Sequence, residues 1–197
     1  MIAVITGDII NSRTGAVEDW MPLLKNTLNQ YGSTPKQWEI YRGDSFQLAL
    51  DPKTALLAAI HIKSAIKQTK TYNVRLAIGI GEENYSSSKI TEANGTAYVN
   101  SGECFENLKK SSLAIQSNQK EIDSTLNIMI KLSLLTIDTW SSVVSKVIKA
   151  AIEHPEKNQK ELAKLLNKSQ SNISEALKRG GYEEISNMNQ FYAKTIS

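Results

Sequence analysis

The stretch QWEIYRGDSFQLAL, residues 37–50, decides the fold prediction. Apolar residues alternate with polar ones from Ser45 to Leu50, and a second short run, residues 37–41, precedes them. Arg42-Gly43-Asp44 lies between the two runs and has the composition of a tight turn. Two such runs on either side of a turn are typical of a β-hairpin. We therefore predict two antiparallel strands joined at residues 42–44.

The segments around the hairpin extend this pattern in both directions. Residues 1–6 are apolar and stop at Gly7-Asp8, as expected of a strand that is buried on both faces. Residues 73–81, NVRLAIGIG, alternate like a further strand. The spacing of apolar residues predicts helices over 18–30, 52–68 and 97–110. The order of strands and helices, β-α-β-β-α-β, is the ferredoxin-like arrangement.

The pattern changes near residue 120, in the polar stretch SNQKEIDS. Beyond it the apolar spacing predicts only helices, over 124–137, 140–153, 159–166, 170–178 and 183–193. We predict an α+β fold with two domains, a ferredoxin-like domain over 1–120 and an all-α domain over 121–197.

Composition narrows the class of protein. An apolar fraction of 41% and a charged fraction of 22% are typical of a globular chain. The longest unbroken apolar run, Ala55 to Ile60, is too short for a bilayer, which needs about 20 residues. No basic residue precedes the N-terminal apolar run, so no secretory signal is expected. A single cysteine fits a reducing cytoplasm, and one cysteine with two histidines cannot form a structural zinc site.

This topology brings two aspartates together as a candidate metal site. In a ferredoxin-like sheet the first and third strands are antiparallel neighbours, so Asp8, after strand one, lies beside Asp44, before strand three. Mg²⁺ is commonly held by one or two carboxylates together with phosphate oxygens. Gly7 and Gly43 would let the backbone approach a phosphate closely. The alternative is that both Gly-Asp pairs are ordinary turn residues.

A family resemblance rests on three motifs, AVITGDIINSR, YRGDSFQLAL and VRLAIGIGE. They resemble the SatD family of bacterial proteins, whose N-terminal half is similar to class III nucleotidyl cyclases and, more distantly, to GGDEF domains. The family also carries a C-terminal helix-turn-helix, so the resemblance covers essentially the whole chain. It implies no settled activity.

The similarity to cyclases implies roles for individual residues. Asp8 and Asp44 match the metal ligands of the cyclases, which makes Mg²⁺ the expected cofactor. Asn100, in YVNSGEC, matches a conserved-motif asparagine, but Cys104 stands where the cyclases have the arginine that stabilises the transferring phosphate. Such an arginine is worth about 10³ to 10⁵ in rate in the best-studied cases, which argues against efficient cyclisation. Arg42 or Arg75 could replace it. The expected nucleotide-binding residues are Gly7, Ser12, Arg13, Arg42, Gly43 and Asn100.

Residues 158–179, NQKELAKLLNKSQSNISEALKR, have the spacing of a helix-turn-helix. Asn158 can cap the first helix, and Ala163 stands where two helices would cross at close range. Asn167 replaces the usual turn glycine and tolerates a left-handed conformation. Ile173 would anchor the second helix against the first. The outward side chains suit base edges and phosphates, and the predicted DNA-binding residues are Lys168, Gln170, Ser171, Asn172, Ser174, Lys178 and Arg179.

The charge distribution supports this reading. The net charge of +3 is small, but residues 157–179 carry six basic and two acidic side chains. The leading hypothesis is a homodimeric, DNA-binding regulator whose cyclase-like domain binds a nucleotide or metal, or only dimerises. One alternative is a Mg²⁺-dependent nucleotidyl cyclase or transferase. Another is a scaffold whose helical domain binds a protein, because the same fold also serves that purpose.

Overall fold

Five strands form one sheet in the computed structural model, which describes residues 1–196. The spatial order is β2-β3-β1-β4-β5. Strand β1 pairs antiparallel with both β3 and β4, β2 and β3 form the antiparallel hairpin, and β5 runs parallel to β4. The strands are β1 (Ile2–Ile10), β2 (Trp38–Tyr41), β3 (Ser45–Leu50), β4 (Asn73–Gly81) and β5 (Leu113–Gln116).

Eight α-helices complete the mixed α+β fold within residues 1–196, and from Lys120 onwards every described element is helical. The helices are α1 (Met21–Leu28), α2 (Ala55–Ile66), α3 (Thr96–Glu106), α4 (Lys120–Ile137), α5 (Ser142–Glu153), α6 (Gln159–Leu165), α7 (Gln170–Arg179) and α8 (Tyr182–Thr195). Short 3₁₀ turns precede α1, flank α2 and precede α3.

The structure corrects the sequence-based elements at three places. Strand β1 continues to Ile10, so Asp8 lies inside the strand instead of after it. Strand β5 was not predicted; its four residues are held by Leu76↔Leu113 pairing with β4, a contact that no local pattern reveals. Helix α4 begins at Lys120, four residues earlier than predicted, because Asp123 in its first turn accepts hydrogen bonds from Ser117.

Helices cover both faces of the sheet. Side chains of α1 and α2 pack with Ile5 and Ile9 of β1 on one face, and α3 lies across β4 and β1 on the other. Gly79 allows α3 to approach, since a Cβ at this position would lie 2.1 Å from the backbone nitrogen of Ser101. Thr6 and Ser101 are joined by a 3.0 Å hydrogen bond between their hydroxyls, which fixes α3 over β1.

The helices beyond residue 120 share one apolar core with the sheet. Helix α5 packs on α2, α4 packs on β5, and α8 contacts both α2 and α4. Tyr192 of α8 donates a 2.6 Å hydrogen bond to the carbonyl of Pro52, just before α2. Eleven of the twelve α2 residues are buried as a result. Across the described residues 1–196, no helix is both long and apolar enough to cross a membrane.

Two charged or titratable side chains of α2 lie inside this core. Lys63 is fully buried; its Nζ lies 3.0 Å from Asp138 Oδ1 and donates to Ser112 Oγ at 2.8 Å and to the Val74 carbonyl at 3.3 Å. Burial lowers the pKa of Lys63 to about 8, and Asp138 opposes that shift. His61 is also buried, with its Nδ1 3.0 Å from the Tyr31 hydroxyl. Burial lowers the pKa of His61 to about 4.

Candidate functional site

The two aspartates lie together at one end of the sheet. Asp8 of β1 is directly opposite Ser45 of β3, and Asp44 immediately precedes Ser45 in the hairpin turn. The backbone nitrogen of Ile9 donates to the carbonyl of Asp44 at 3.2 Å, which ties the turn to β1. Ser12 donates a short hydrogen bond from its hydroxyl to Asp44 Oδ2. The antiparallel register therefore brings both carboxylates to the same edge.

Asp8 already has two hydrogen-bond donors. Ser45 Oγ donates to its Oδ1 at 3.1 Å, and Arg75 Nη2, from the opposite neighbour β4, lies 3.2 Å from its Oδ2. The Arg75 guanidinium also lies over the ring of Phe105, 5.2 Å from the centroid. The side chains of Asp8 and Arg75 are 22% and 40% exposed, so the ion pair is open to solvent on one side. A polar cluster with one cation and two carboxylates results.

Asp8 and Asp44 suit Mg²⁺ only if other oxygen ligands complete its coordination. Two carboxylates are enough for Mg²⁺ when phosphate oxygens and water complete the octahedron. Within residues 1–196, no group of three or more His, Cys, Asp or Glu side chains is placed to hold a metal. Arg75 moreover occupies one oxygen of Asp8. The pair thus suits a metal that arrives bound to phosphate better than a free ion.

A second candidate surface is formed by α6 and α7. Asn158 caps α6 by accepting hydrogen bonds from the backbone nitrogens of Lys160 and Glu161, while Glu161 accepts one from the Asn158 backbone, a complete capping box. The turn that follows contains Asn167 with a positive φ of 51°, the left-handed conformation that the sequence analysis assigned to it. Ser169 then caps α7 by accepting from the Asn172 nitrogen at 3.2 Å.

Helix α7 is divided into a buried and an exposed side. Ile173 and Ala176 are fully buried against neighbouring helices α5 and α6. Lys168, in the turn, is half-buried, and the other six predicted DNA-binding residues are exposed: Gln170, Ser171, Asn172, Ser174, Lys178 and Arg179. Glu175 shares this side and lies 3.7 Å from Arg179, both side chains being more than half exposed, so the pair leaves the charges open to a ligand.

The model of the SatD family matches residues 1–194. The chain belongs to the SatD family. A search of curated proteins finds no match to the sequence.

Two glycines at the carboxylate edge of this SatD family chain have different roles. A Cβ on Gly7 would lie 2.3 Å from the ring of Phe46, so this glycine makes room for core packing and its side faces away from solvent. Gly43 has a φ of +89° with open space around it, and Arg42 before it has a φ of 52°. The turn geometry thus explains Gly43, and only Gly43 of the two is accessible to a phosphate.

The other predicted nucleotide-binding residues are dispersed in the SatD family chain. Arg13 and Arg42 are exposed near the carboxylates. Asn100 is buried in α3, where its Nδ2 donates to the Ile80 carbonyl at 2.7 Å. Ile80 pairs with Ala3, five residues from Asp8 along β1, a separation of about 16 Å at the rise of a strand. The structure therefore joins Asp8, Asp44 and Ser12 and leaves Asn100 apart.

The position of Cys104 is buried, which is a physical reason why this SatD family chain has no arginine there. Its side chain is buried with Ala77 and Leu108 in the contact between α3 and the sheet. Burial raises the pKa of the thiol to about 12, so Cys104 is an unreactive core residue. Ser45 was not predicted as a site member, and Arg75 was predicted only as a possible replacement for the missing arginine. Their signal was present in the alternation of β3 and β4, since both residues share the face of Asp8.

Proposed function

We propose that this SatD family protein is a DNA-binding regulator in which α6 and α7 form a helix-turn-helix and α7 enters the major groove. The observation that carries the proposal is the exposed side of α7, where polar and basic side chains are presented by a helix anchored through Ile173 and Ala176. Side chains cap the N-termini of both helices, so these ends are fixed before any ligand binds. A recognition helix requires such a rigid presentation.

The proposed roles divide the exposed side chains into two groups. Lys168, Lys178 and Arg179 neutralise phosphates and supply affinity that is independent of sequence. The N-terminal residues of a recognition helix contact base edges, which assigns base contacts to Gln170, Ser171 and Asn172. Ser174 lies one turn further along α7 and completes this polar side.

The proposal assigns a ligand-binding role to the sheet. The strand order β2-β3-β1-β4 with antiparallel neighbours supports the ferredoxin-like, cyclase-like assignment, to which β5 adds an edge. The adjacency of Asp8 and Asp44 supports a nucleotide bound with Mg²⁺ at this edge. Arg75, whose Nη2 lies 3.2 Å from Asp8 Oδ2, is a cation placed to contact that ligand. A nucleotidyl cyclase or transferase is the second candidate function, for which Arg75 would have to replace the missing arginine.

We further propose that the protein acts as a homodimer. Two α7 helices related by a two-fold axis would read two half-sites of a palindromic operator. Cyclase-like domains also build their sites between two folds.

DNA binding is tested with fluorescently labelled random duplexes, followed by anisotropy over a range of salt concentrations. We expect salt-dependent binding, and Lys178→Ala should reduce the slope of log K against log salt by about 0.9 on every duplex. Lys110→Ala removes an exposed lysine outside the proposed interface and serves as the matched control. Asn172→Ala should change the preferred sequence with a cost of about 1–3 kcal/mol on the best site. Absence of binding at low salt would make the helical half a protein-binding module.

The nucleotide site is tested by thermal melting with nucleoside triphosphates and Mg²⁺ or Mn²⁺. A ligand that binds only the native state raises the melting temperature. Asp44→Asn should abolish the shift while the protein remains folded, and Glu106→Gln, at an exposed acid elsewhere, should leave the shift intact. Formation of a cyclic product under the same conditions would favour the enzyme. An unchanged melting curve of the wild type would leave Asp8 as a structural residue of β1 and Asp44 as a residue of the hairpin turn.

A further inference from the structure

Helix α4 exposes a line of large apolar side chains to solvent. Ile128, Leu132 and Leu135 are 59%, 62% and 73% exposed, although α4 buries Leu126, Ile130 and Leu134 on its opposite side. A helix on the surface of a globular protein normally carries charged or polar residues on its outer face. The outer face of α4 from residue 124 to residue 137 carries a single charged residue, Lys131.

The spacing of these residues is that of a helix–helix contact. Thr125, Ile128, Leu132 and Leu135 follow one another at intervals of three, four and three residues. Alternation of three and four is the a/d spacing by which two helices interlock their side chains. We call these four residues the α4 seam. Depletion of charge along the seam is typical of the core of an interface.

Two hollows with apolar side chains lie beside the seam. On one flank Phe191 of α8, 45% exposed, shares a hollow of about 280 Å³ with Ile122 and Thr125. Along the middle, a groove of about 490 Å³ separates α4 from α8 and is lined by the flexible side chains of Met129 and Met188. Methionine adapts its shape to an incoming side chain, so such a groove accepts a neighbouring residue readily.

We infer that the α4 seam is the surface on which a second copy of this chain docks. A two-fold axis through the middle of α4 places the seam against its own copy, with Ile128 opposite Leu132 of the second copy. The seam alone exposes on the order of 350 Å² of apolar surface, which is the size of a functional patch. A stable interface buries about 800 Å² on each partner, so the seam provides a little under half of that area, and the groove and the Phe191 flank extend it.

The position of the seam deepens the homodimer proposed above. Lys178 and Arg179, at the end of α7, line the same groove as Met129 and Leu132. Pairing through α4 therefore places the C-terminal end of each α7 helix beside the interface. The inference rests on the proposed pairing of chains and not on DNA binding, because the mass of the complex is measured without DNA.

Light scattering of the full chain at micromolar concentrations tests the inference. We expect a mass of twice 21.8 kDa for the wild type and of one chain for Leu132→Glu, with an unchanged circular dichroism spectrum. Leu165→Glu, at a 49% exposed leucine of α6, is the matched control and should remain a dimer. A monomeric wild type, or a dimer that survives Leu132→Glu, overturns the inference.

Crosslinking of the wild type keeps the test decisive if Leu132→Glu fails to fold. Lys131 lies at the edge of the seam next to the proposed axis, and packed helices are separated by about 8–10 Å. An amine crosslinker applied to mixed heavy- and light-isotope chains should join Lys131 to Lys131 of the second copy. A dimer without this link is built on another face and refutes the α4 seam.

Discussion

Removal of the negative charge of Asp138 should destabilise the protein far more than removal of the buried Lys63 itself. Lys63 lies in α2 and is inaccessible to solvent, whereas the Asp138 side chain at the end of α4 is 37% exposed. In Asp138→Asn the ammonium stays in the core without its counter-charge. In Lys63→Met the remaining carboxylate reaches water and still accepts hydrogen bonds from Ser112.

The magnitudes follow from this asymmetry. Leaving a buried charge unpaired costs about 3–5 kcal/mol of unfolding free energy, which is the expected loss for Asp138→Asn. Replacing a buried ion pair by an apolar side chain of similar volume is often close to neutral. Lys63→Met removes three hydrogen bonds of the ammonium but also its desolvation, so we expect a loss of about 1 kcal/mol. The double variant should resemble Lys63→Met alone.

Urea denaturation at pH 7 measures the three free energies of unfolding. A pH series on the wild type gives an independent check, since the pKa of Lys63 is about 8 in the native state against 10.5 in its ordinary state. Above pH 8 the unfolded chain therefore binds more protons than the native one, and Lys63 makes the stability rise with pH. Lys63→Met should lack this rise between pH 8 and 9.5. Equal losses in the two single variants, or additive losses in the double variant, would refute the reasoning.

Three further predictions concern other buried or capped positions. Burial lowers the native pKa of His61 to about 4, so between pH 6.5 and 4 the unfolded chain binds a proton that the native protein does not. The free energy of unfolding should therefore fall by about 2–3 kcal/mol as the pH drops from 6.5 to 4. Urea denaturation of His61→Gln over the same pH range should lack this loss. Gly79→Ala should lower the melting temperature sharply because its Cβ meets the backbone of α3, whereas Gly102→Ala, with open space, should not. Asn158→Ala should cost about 1 kcal/mol in a denaturation series, since it removes the cap of α6.

Local signals were sufficient for much of the chain. Gly43 tolerates the positive φ that the turn at 42–44 requires, so the hairpin was readable from the sequence. The cap of α6 by Asn158 and the left-handed Asn167 were equally local, because each depends on residues within four positions. The sequence therefore predicted these elements and the adjacency of Asp8 and Asp44.

Features that depend on distant partners were not predictable in this way. Strand β5 has only four residues and is defined by its pairing with β4. The engagement of Asp8 by Arg75 arises across two strands that are 67 residues apart in sequence. Asn100 was grouped with the carboxylates through its motif, but its side chain is used by the carbonyl of Ile80. A local pattern can show that a residue belongs to a strand. To predict which residues lie side by side across a sheet, the register of every strand pair between them must also be known.

Helix α2 is covered by segments that are synthesised long after it. Its residues are apolar on nearly every side, and α5 and α8 provide much of that cover. At about 5–20 residues per second, ribosomes need roughly 6 to 23 s to proceed from the end of α2 to the start of α8. During that interval the emerging chain exposes apolar side chains of α2, and transiently exposed apolar surface promotes aggregation. The core of the protein is closed only when Tyr192 reaches Pro52.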